Sequence, residues 1–205
     1  GWTIVDVIMF VCFMIGTPWT VLGFWNAVIG LWLLHGHKSP MAEVAPFAAA
    51  GDADTAITTK TAVLMTVRNE DPARAILRLR TVKTSVDATG QGAQFSYFVL
   101  SDSNDPAVAN AEERAVEAWR AADPDRARIT YRRRTANTGF KAGNLRDFCE
   151  RWGRGYELML PLDADSLMAG QSIVRLVRMM QAHPKLGILQ SLVVGMPSSS
   201  AFARI

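Results

Sequence analysis

No feature of the chain limits its folding more than the run from Val7 to Leu34, 28 residues without one Asp, Glu, Lys or Arg. An apolar run of that length passes the threshold for a membrane span. Wound as one helix it is about 42 Å long. The hydrocarbon core is only about 30 Å thick, so a single span tilts, kinks or protrudes. Gly16-Thr17-Pro18 supplies a kink or, alternatively, the turn of a hairpin. Two full spans need roughly 40 apolar residues, and the first arm would have to begin before Gly1, so one kinked span is expected. Trp2, Trp19, Trp25 and Trp32 are spread along the segment, and only those at its ends match interfacial anchoring. His35-Gly36-His37-Lys38 closes it with weak positive character, which puts the following domain in the cytoplasm. A buried core helix is the rival reading, disfavoured by the length of the uncharged run. The opening has neither a basic flank nor a small-residue cleavage site, so it does not read as a signal peptide. The chain starts at Gly1 inside this stretch and reads as a piece of something longer.

The rest of the chain is of a different kind. Hydrophobic residues make up 49% of the whole, which excludes a disordered or collagenous chain, and Cys12 and Cys149 are too few for a disulfide scaffold. The formal net charge is +3, too small to imply polyanion binding. Residues 1–38 are expected to be the transmembrane segment. Residues 39–60, with Pro40, Pro46, Gly51 and an Ala-rich stretch, read as a linker, and 61–205 as the folded domain.

From Thr61 onward, short apolar runs alternate with amphipathic stretches. Strands are expected at 62–67, 95–100, 129–133, 158–162 and 186–194, and helices at 72–86, 106–122, 141–152 and 171–182. Asp71 and Asp105 precede prolines and read as helix caps. This alternation implies an α/β fold, a Rossmann-like and mostly parallel sheet covered on both faces. Pro161 is awkward within such a strand, because proline lacks the donor that a central strand needs.

Ligands of parallel sheets bind beyond the carboxyl ends of the strands. There the chain places Arg68-Asn69-Glu70-Asp71, Ser101-Asp102-Ser103 and Asp163-Ala164-Asp165, so three of five strands deliver carboxylates to one edge. If the backbone stays extended, Asp163 and Asp165 point the same way and can serve one Mg²⁺ or Mn²⁺ ion. Neither a P-loop nor a dinucleotide fingerprint follows any strand. Gly139-Phe140-Lys141-Ala142-Gly143-Asn144 is a different turn that opens a helix, where amides and Lys141 suit an anion.

Val63-Leu64-Met65-Thr66-Val67-Arg68-Asn69-Glu70, Leu100-Ser101-Asp102, Lys141-Ala142-Gly143-Asn144 and Leu162-Asp163-Ala164-Asp165 fall in the order and spacing of processive family 2 glycosyltransferases. The chain most resembles the membrane members that synthesise osmoregulated periplasmic glucans. Gly23-Phe24-Trp25, Tyr131-Arg132-Arg133-Arg134, Asp147-Phe148-Cys149-Glu150-Arg151-Trp152-Gly153 and Gly187-Ile188-Leu189-Gln190-Ser191 extend the resemblance over nearly all of residues 20–205. It implies a GT-A nucleotide-sugar domain, of which 61–205 is the N-terminal, donor-binding part. The implied activity is that of an inverting hexosyltransferase in the bacterial inner membrane, building a β-glucan backbone from UDP-glucose. Its implied partners are the growing glucan chain, membrane lipid and other periplasmic-glucan synthesis proteins, with no nucleic acid.

Residue by residue, the resemblance implies that Glu70 and Asp102 contact the uridine end and that Lys141 approaches the diphosphate. Asp163 and Asp165 would hold UDP and a divalent cation. Arg68 departs from the family, where an aromatic or small residue is common, and so does Pro161. The family continues to an acidic catalytic-base motif, a Gln-x-x-Arg-Trp-like acceptor motif and further spans, none of which lies in these residues. No catalytic base is therefore assigned, and this stretch alone is expected to turn over little donor. The alternative is a membrane-tethered nucleotide-sugar-binding regulatory module that never transfers sugar.

Other residues read as structural. Arg132-Arg133-Arg134 reads as a solvated strand end, Cys149 as core, His183 as a helix-end residue and Met179-Met180 as packing. His35 and His37 lack further ligands.

Overall fold

Thr3 starts α1 (Ile4–Gly36) in the computed structural model, which describes residues 1–191 of the chain. Thr3 Oγ1 accepts from the Asp6 N–H at 3.3 Å, and Asp6 Oδ2 accepts from the Thr3 N–H at 2.7 Å, a reciprocal cap that satisfies two orphan donors. The helix passes through Pro18 without a break. The hydroxyls of Thr17 and Thr20 donate to the carbonyls of Phe13 and Gly16 at 2.6 and 3.4 Å around the position where proline removes a backbone donor. One continuous helix excludes the hairpin. It is long and apolar enough to cross a membrane, none of its residues is buried, and its 33 residues extend about 50 Å. α2 (Pro40–Val44) and a 3₁₀ turn (Pro46–Asp52) follow, so the expected linker carries short helical structure. The described chain divides into two units within this region, Gly1–Ala48 and the remainder from Ala49.

The second unit is built on β1 (Thr61–Val67), β2 (Phe95–Ser101), β3 (Ile129–Arg133) and β4 (Leu158–Asp163). All are parallel, in the order β3-β2-β1-β4. The connections are α3 (Pro72–Asp87), α4 (Pro106–Ala122) and α5 (Phe140–Trp152), and α6 (Gly170–Ala182) follows β4. Asp71 caps α3 by accepting from the Arg74 N–H at 3.2 Å, and Asp105 caps α4 by accepting from the Ala107 N–H at 2.8 Å.

Alternation along the strands makes two cores. Val63, Met65, Tyr97, Val99, Ile129 and Leu162 pack with Leu79 and Val82 of α3, Val116 and Trp119 of α4, and Ile173 and Val177 of α6. On the opposite face Ala62, Leu64, Phe98 and Leu100 pack on Phe148 of α5, with the Phe98 and Phe148 rings edge to face at 4.9 Å. Three helices therefore cover one face and α5 covers part of the other.

Pro161 is accommodated because β4 borders the described sheet, where a missing donor breaks no second ladder. Along β4, Met159, Pro161 and Asp163 are exposed while Leu160 and Leu162 turn toward the three-helix core. Cys149, expected in the core, is exposed, its Sγ 3.9 Å from Met159 Sδ, because α5 turns Phe148 inward instead. Of the strand expected at 186–194, residues 186–191 have no strand pairing and 192–194 lie outside the described residues.

Gly170, the first residue of α6, fixes how that helix meets α3. Its N–H donates to Ser85 Oγ at 2.8 Å, and an added Cβ would overlap the Ser85 carbonyl. Glycine to alanine at a helix start ordinarily stabilises. Gly170→Ala is expected to do the reverse, costing about 1–3 kcal/mol by overpacking. The shift in urea midpoint at unchanged slope measures it, and a stabilised variant would contradict this packing.

Candidate functional site

Parallel register brings the carboxyl ends of all four strands to one edge. Val67 pairs with Ser101, Thr66 with Asp163, and Ser101 with Arg133. The strand order runs 3-2-1 and then jumps to 4, so the connections reverse direction between β1 and β4. Such a reversal opens a crevice at the carboxyl edge. Asp102 follows β2 and Asp163 ends β4, with β1 between them, two strand spacings or about 10 Å apart.

The loop after β1 is fastened to the loop after β2. Asn69 has φ of 53°, a left-handed conformation that asparagine tolerates. Its N–H donates to Ser103 Oγ at 2.8 Å, and its Oδ1 accepts from the backbones of Asn104 and Asp105, both at 3.2 Å. Ser103 in turn donates to Glu112 Oε1 at 2.5 Å, and Ser101 donates to Oε2 at 2.6 Å. Tyr131 adds a third hydroxyl at 3.0 Å. Glu112 is 1% exposed, so these donors replace water around a buried carboxylate. Burial, together with the Glu112 charge, pushes the Tyr131 phenol up to about 12, keeping it a neutral donor. Glu70 emerges from this braced loop exposed, with no polar partner among the described residues.

Asp102 is not free. Only 7% exposed, it accepts at Oδ1 from Arg134 Nε and at Oδ2 from Arg134 Nη2, both at 2.7 Å. That bidentate bond holds the Arg134 guanidinium more firmly protonated than usual. Arg132 is buried beneath α5, where its Nη2 donates to the Asn144 carbonyl at 3.1 Å, and burial lowers its pKa. Arg133 Nε donates to the Ser103 carbonyl at 3.1 Å. Arg132 and Arg134 are thus internal ties, to the Asn144 carbonyl of α5 and to Asp102, whereas Arg133 is exposed, as expected of a solvated strand end.

Lys141 lies in the first turn of α5 and pairs with Asp163 across the crevice edge. β4 ends at Asp163, and the Ser166 N–H closes a turn onto its carbonyl at 3.0 Å. Asp165 therefore lies in a turn rather than on the extended segment expected. Asp163 and Asp165 are both exposed and flank buried Ala164, whose carbonyl accepts from Arg78 Nη1 of α3 at 2.9 Å. Among the described residues no three acidic, His or Cys side chains are grouped to hold a metal. Two carboxylate carriers with open surroundings still fit Mg²⁺ or Mn²⁺, which commonly takes one or two carboxylates and completes its shell with water and phosphate oxygens. Two clefts lie at the opposite, amino-terminal strand edge, against Gly92 and Arg128 and against Lys60 and Tyr156, away from this chemistry.

Sequence reasoning named Glu70, Asp102, Lys141, Asp163 and Asp165, and the structure places all five along the carboxyl-terminal edge of the sheet. It missed Asn69 as a loop fastener and Glu112, Arg134 and Arg78 as supports. A glutamate on the inward stripe of an amphipathic helix was the one available signal, for Glu112.

No family model matches the chain. Curated relatives do. The chain is 35% identical over its full length to glucans biosynthesis glucosyltransferase H of Vibrio cholerae and covers 27% of that protein. Against the protein of the same name from Pseudomonas aeruginosa it is 38% identical over 91% of its own length and 22% of the relative's. The corresponding Rhodopseudomonas palustris protein is 37% identical over the whole chain and 28% of the relative. The chain thus spans about a quarter of the length of these relatives and is homologous to that part of them.

The Glu112 cluster yields a direct prediction. Glu112→Ala strands two buried serine hydroxyls and that of half-buried Tyr131 and is expected to cost at least about 2 kcal/mol, while Glu112→Gln, which keeps an acceptor, costs less. Chemical denaturation of both variants measures the ordering, which reverses if the carboxylate is not the common acceptor.

Proposed function

We propose that this chain is the membrane-tethered, donor-binding part of an inverting glucosyltransferase. On this reading it uses UDP-glucose to build the β-glucan backbone of osmoregulated periplasmic glucans. The reading is supported by the name shared by its curated relatives and, in the chain itself, by the gathering of Glu70, Lys141, Asp163 and Asp165 at the sheet's switch point. α1 lies in the bacterial inner membrane and the α/β unit is cytoplasmic, where nucleotide sugars are made.

Each residue has a part in this mechanism. Glu70 and Asp102 line the uridine side, beyond β1 and β2. Lys141 leaves Asp163 for the diphosphate, aided by the positive end of α5. Asp163 and Asp165 would hold a divalent cation, which would supply positive charge to offset that of the diphosphate. The base that deprotonates the acceptor hydroxyl lies outside these residues, so this stretch binds donor without transferring sugar. The growing glucan and other synthesis proteins engage the remainder of the longer protein.

Titration calorimetry of the full chain in detergent with UDP, with and without Mn²⁺, tests the reading. Binding is expected to require the cation. Asp163→Ala should weaken it roughly 10- to 100-fold, the equivalent of one lost charge-assisted contact. Equal affinity of wild type and variant in Mn²⁺ would overturn the metal assignment, and absence of UDP binding by wild type would overturn the donor site.

A further inference from the structure

We infer that Arg134 is the positioning residue of this site: it locks the turn that carries Lys141 onto Asp102, and diphosphate recognition by Lys141 depends on that lock. The inference rests on the donor-site reading and adds a residue to it that neither the resemblance nor the relatives' names assign.

The turn between β3 and α5 is strained. Gly139 has φ of 70° and is followed by Phe140 at 49°. A left-handed aromatic residue is a true outlier, which persists only where its surroundings over-determine it. The turn's own backbone bonds are local: the Phe140 N–H reaches the Asn137 carbonyl at 3.4 Å, and the Gly143 N–H reaches the Gly139 carbonyl at 2.8 Å. Arg134 supplies the restraint. Nη1 donates to the Thr138 carbonyl at 3.1 Å, and Nη2 donates to the Phe140 carbonyl at 3.1 Å and Asn137 Oδ1 at 3.3 Å. The same guanidinium grips both oxygens of Asp102 at 2.7 Å, and both side chains of this pair are nearly buried.

One planar group thus joins the end of β2 to three points of a strained turn, and Lys141 is the residue after that turn. Gly143 closes the arrangement from the other side, since an added Cβ would collide with the Thr138 carbonyl that Arg134 holds and would reach within 3.3 Å of Arg134 Nη1. Lysine cannot substitute, because one ammonium cannot present the rigid fork that spans a carboxylate and two carbonyls. The hydrogen bonds of Arg134 run to Asp102 and to this turn, so its role toward the ligand is indirect.

The test is a double-mutant cycle between Arg134 and Lys141, read as UDP affinity by calorimetry in Mn²⁺ on the full chain in detergent. Arg134→Lys is expected to weaken UDP at least about tenfold, with Lys141→Ala costing much less in that background than in wild type. Hydrogen exchange should quicken in residues 137–143 while β1 and β2 stay protected. Gly143→Ala, which displaces the same turn sterically, should reproduce the affinity loss if Arg134→Lys does not fold. UDP binding by Arg134→Lys equal to wild type would overturn the inference. So would fully additive losses, or an affinity loss with the turn as protected as in wild type. Failure of wild type to bind UDP would instead sink the donor-site reading, and this inference with it.

Discussion

Everything at the candidate site follows from the parallel pairing of β1 with β2 on one side and β4 on the other. Parallel strands bring all their carboxyl ends to one edge, so loops far apart in sequence become neighbours there. The order β3-β2-β1-β4 then puts the reversal of connection beside β1, with Glu70 on one bank and Asp163 on the other. Register matters as much as order. A one-residue slip of β4 would exchange its faces, turning Asp163 toward the three-helix core and Leu162 away from it. The apolar positions Leu158, Leu160 and Leu162, which pack on that core, oppose such a slip. Hydrophobic patterning therefore aims the acidic residues.

The regular elements were legible because each signal was local. Asp71-Pro72 and Asp105-Pro106 mark helix starts by capping chemistry, and both helices begin there. Apolar runs bounded by polar residues marked the four strands. Which residues stand at the edge was legible too, once the sheet was taken as parallel. What the edge residues do to one another was not. Asp102 and Arg134 are 32 positions apart, and their pairing depends on how β2, β3 and the following turn meet in space. A run of three arginines has the same appearance whether solvated or buried. Here the partners that internalise Arg132 and Arg134, Asn144 and Asp102, come from two other segments, while Arg133 stays exposed. Cys149 went astray for a narrower reason: the apolar stripe of α5 is broader than the strip of sheet that it covers, and the exposed side faces the uncovered part of β4.

The charges at this edge fall into two groups. Glu112, Asp102 and Arg132 are buried and Arg134 nearly so, and each binds groups of neighbouring segments. Asp163, Asp165, Glu70 and Lys141 are exposed, and only Asp163 and Lys141 engage one another. Buried ion pairs add little net stability, because desolvation cancels much of the attraction. Their value here is geometric. A bidentate guanidinium fixes direction as well as distance, and a carboxylate ringed by hydroxyls fixes three segments at once.

That division also bears on the strain at Phe140. A left-handed aromatic residue costs on the order of 1–3 kcal/mol, and no gain in packing offsets it, since the ring is 69% exposed. The conformation survives because relaxing it would break the bonds from Arg134 to the Thr138 and Phe140 carbonyls. Strain held by this nearly buried ion pair means that the N-terminal end of α5 is set by the fold itself. The entropy of ordering the turn is then charged to folding rather than to binding. Lys141, by contrast, makes an exposed pair with Asp163, worth little in water and readily exchanged. A fixed backbone with an exchangeable cation is the arrangement expected where an anionic ligand and a metal ion must enter together, each taking over one partner of that pair.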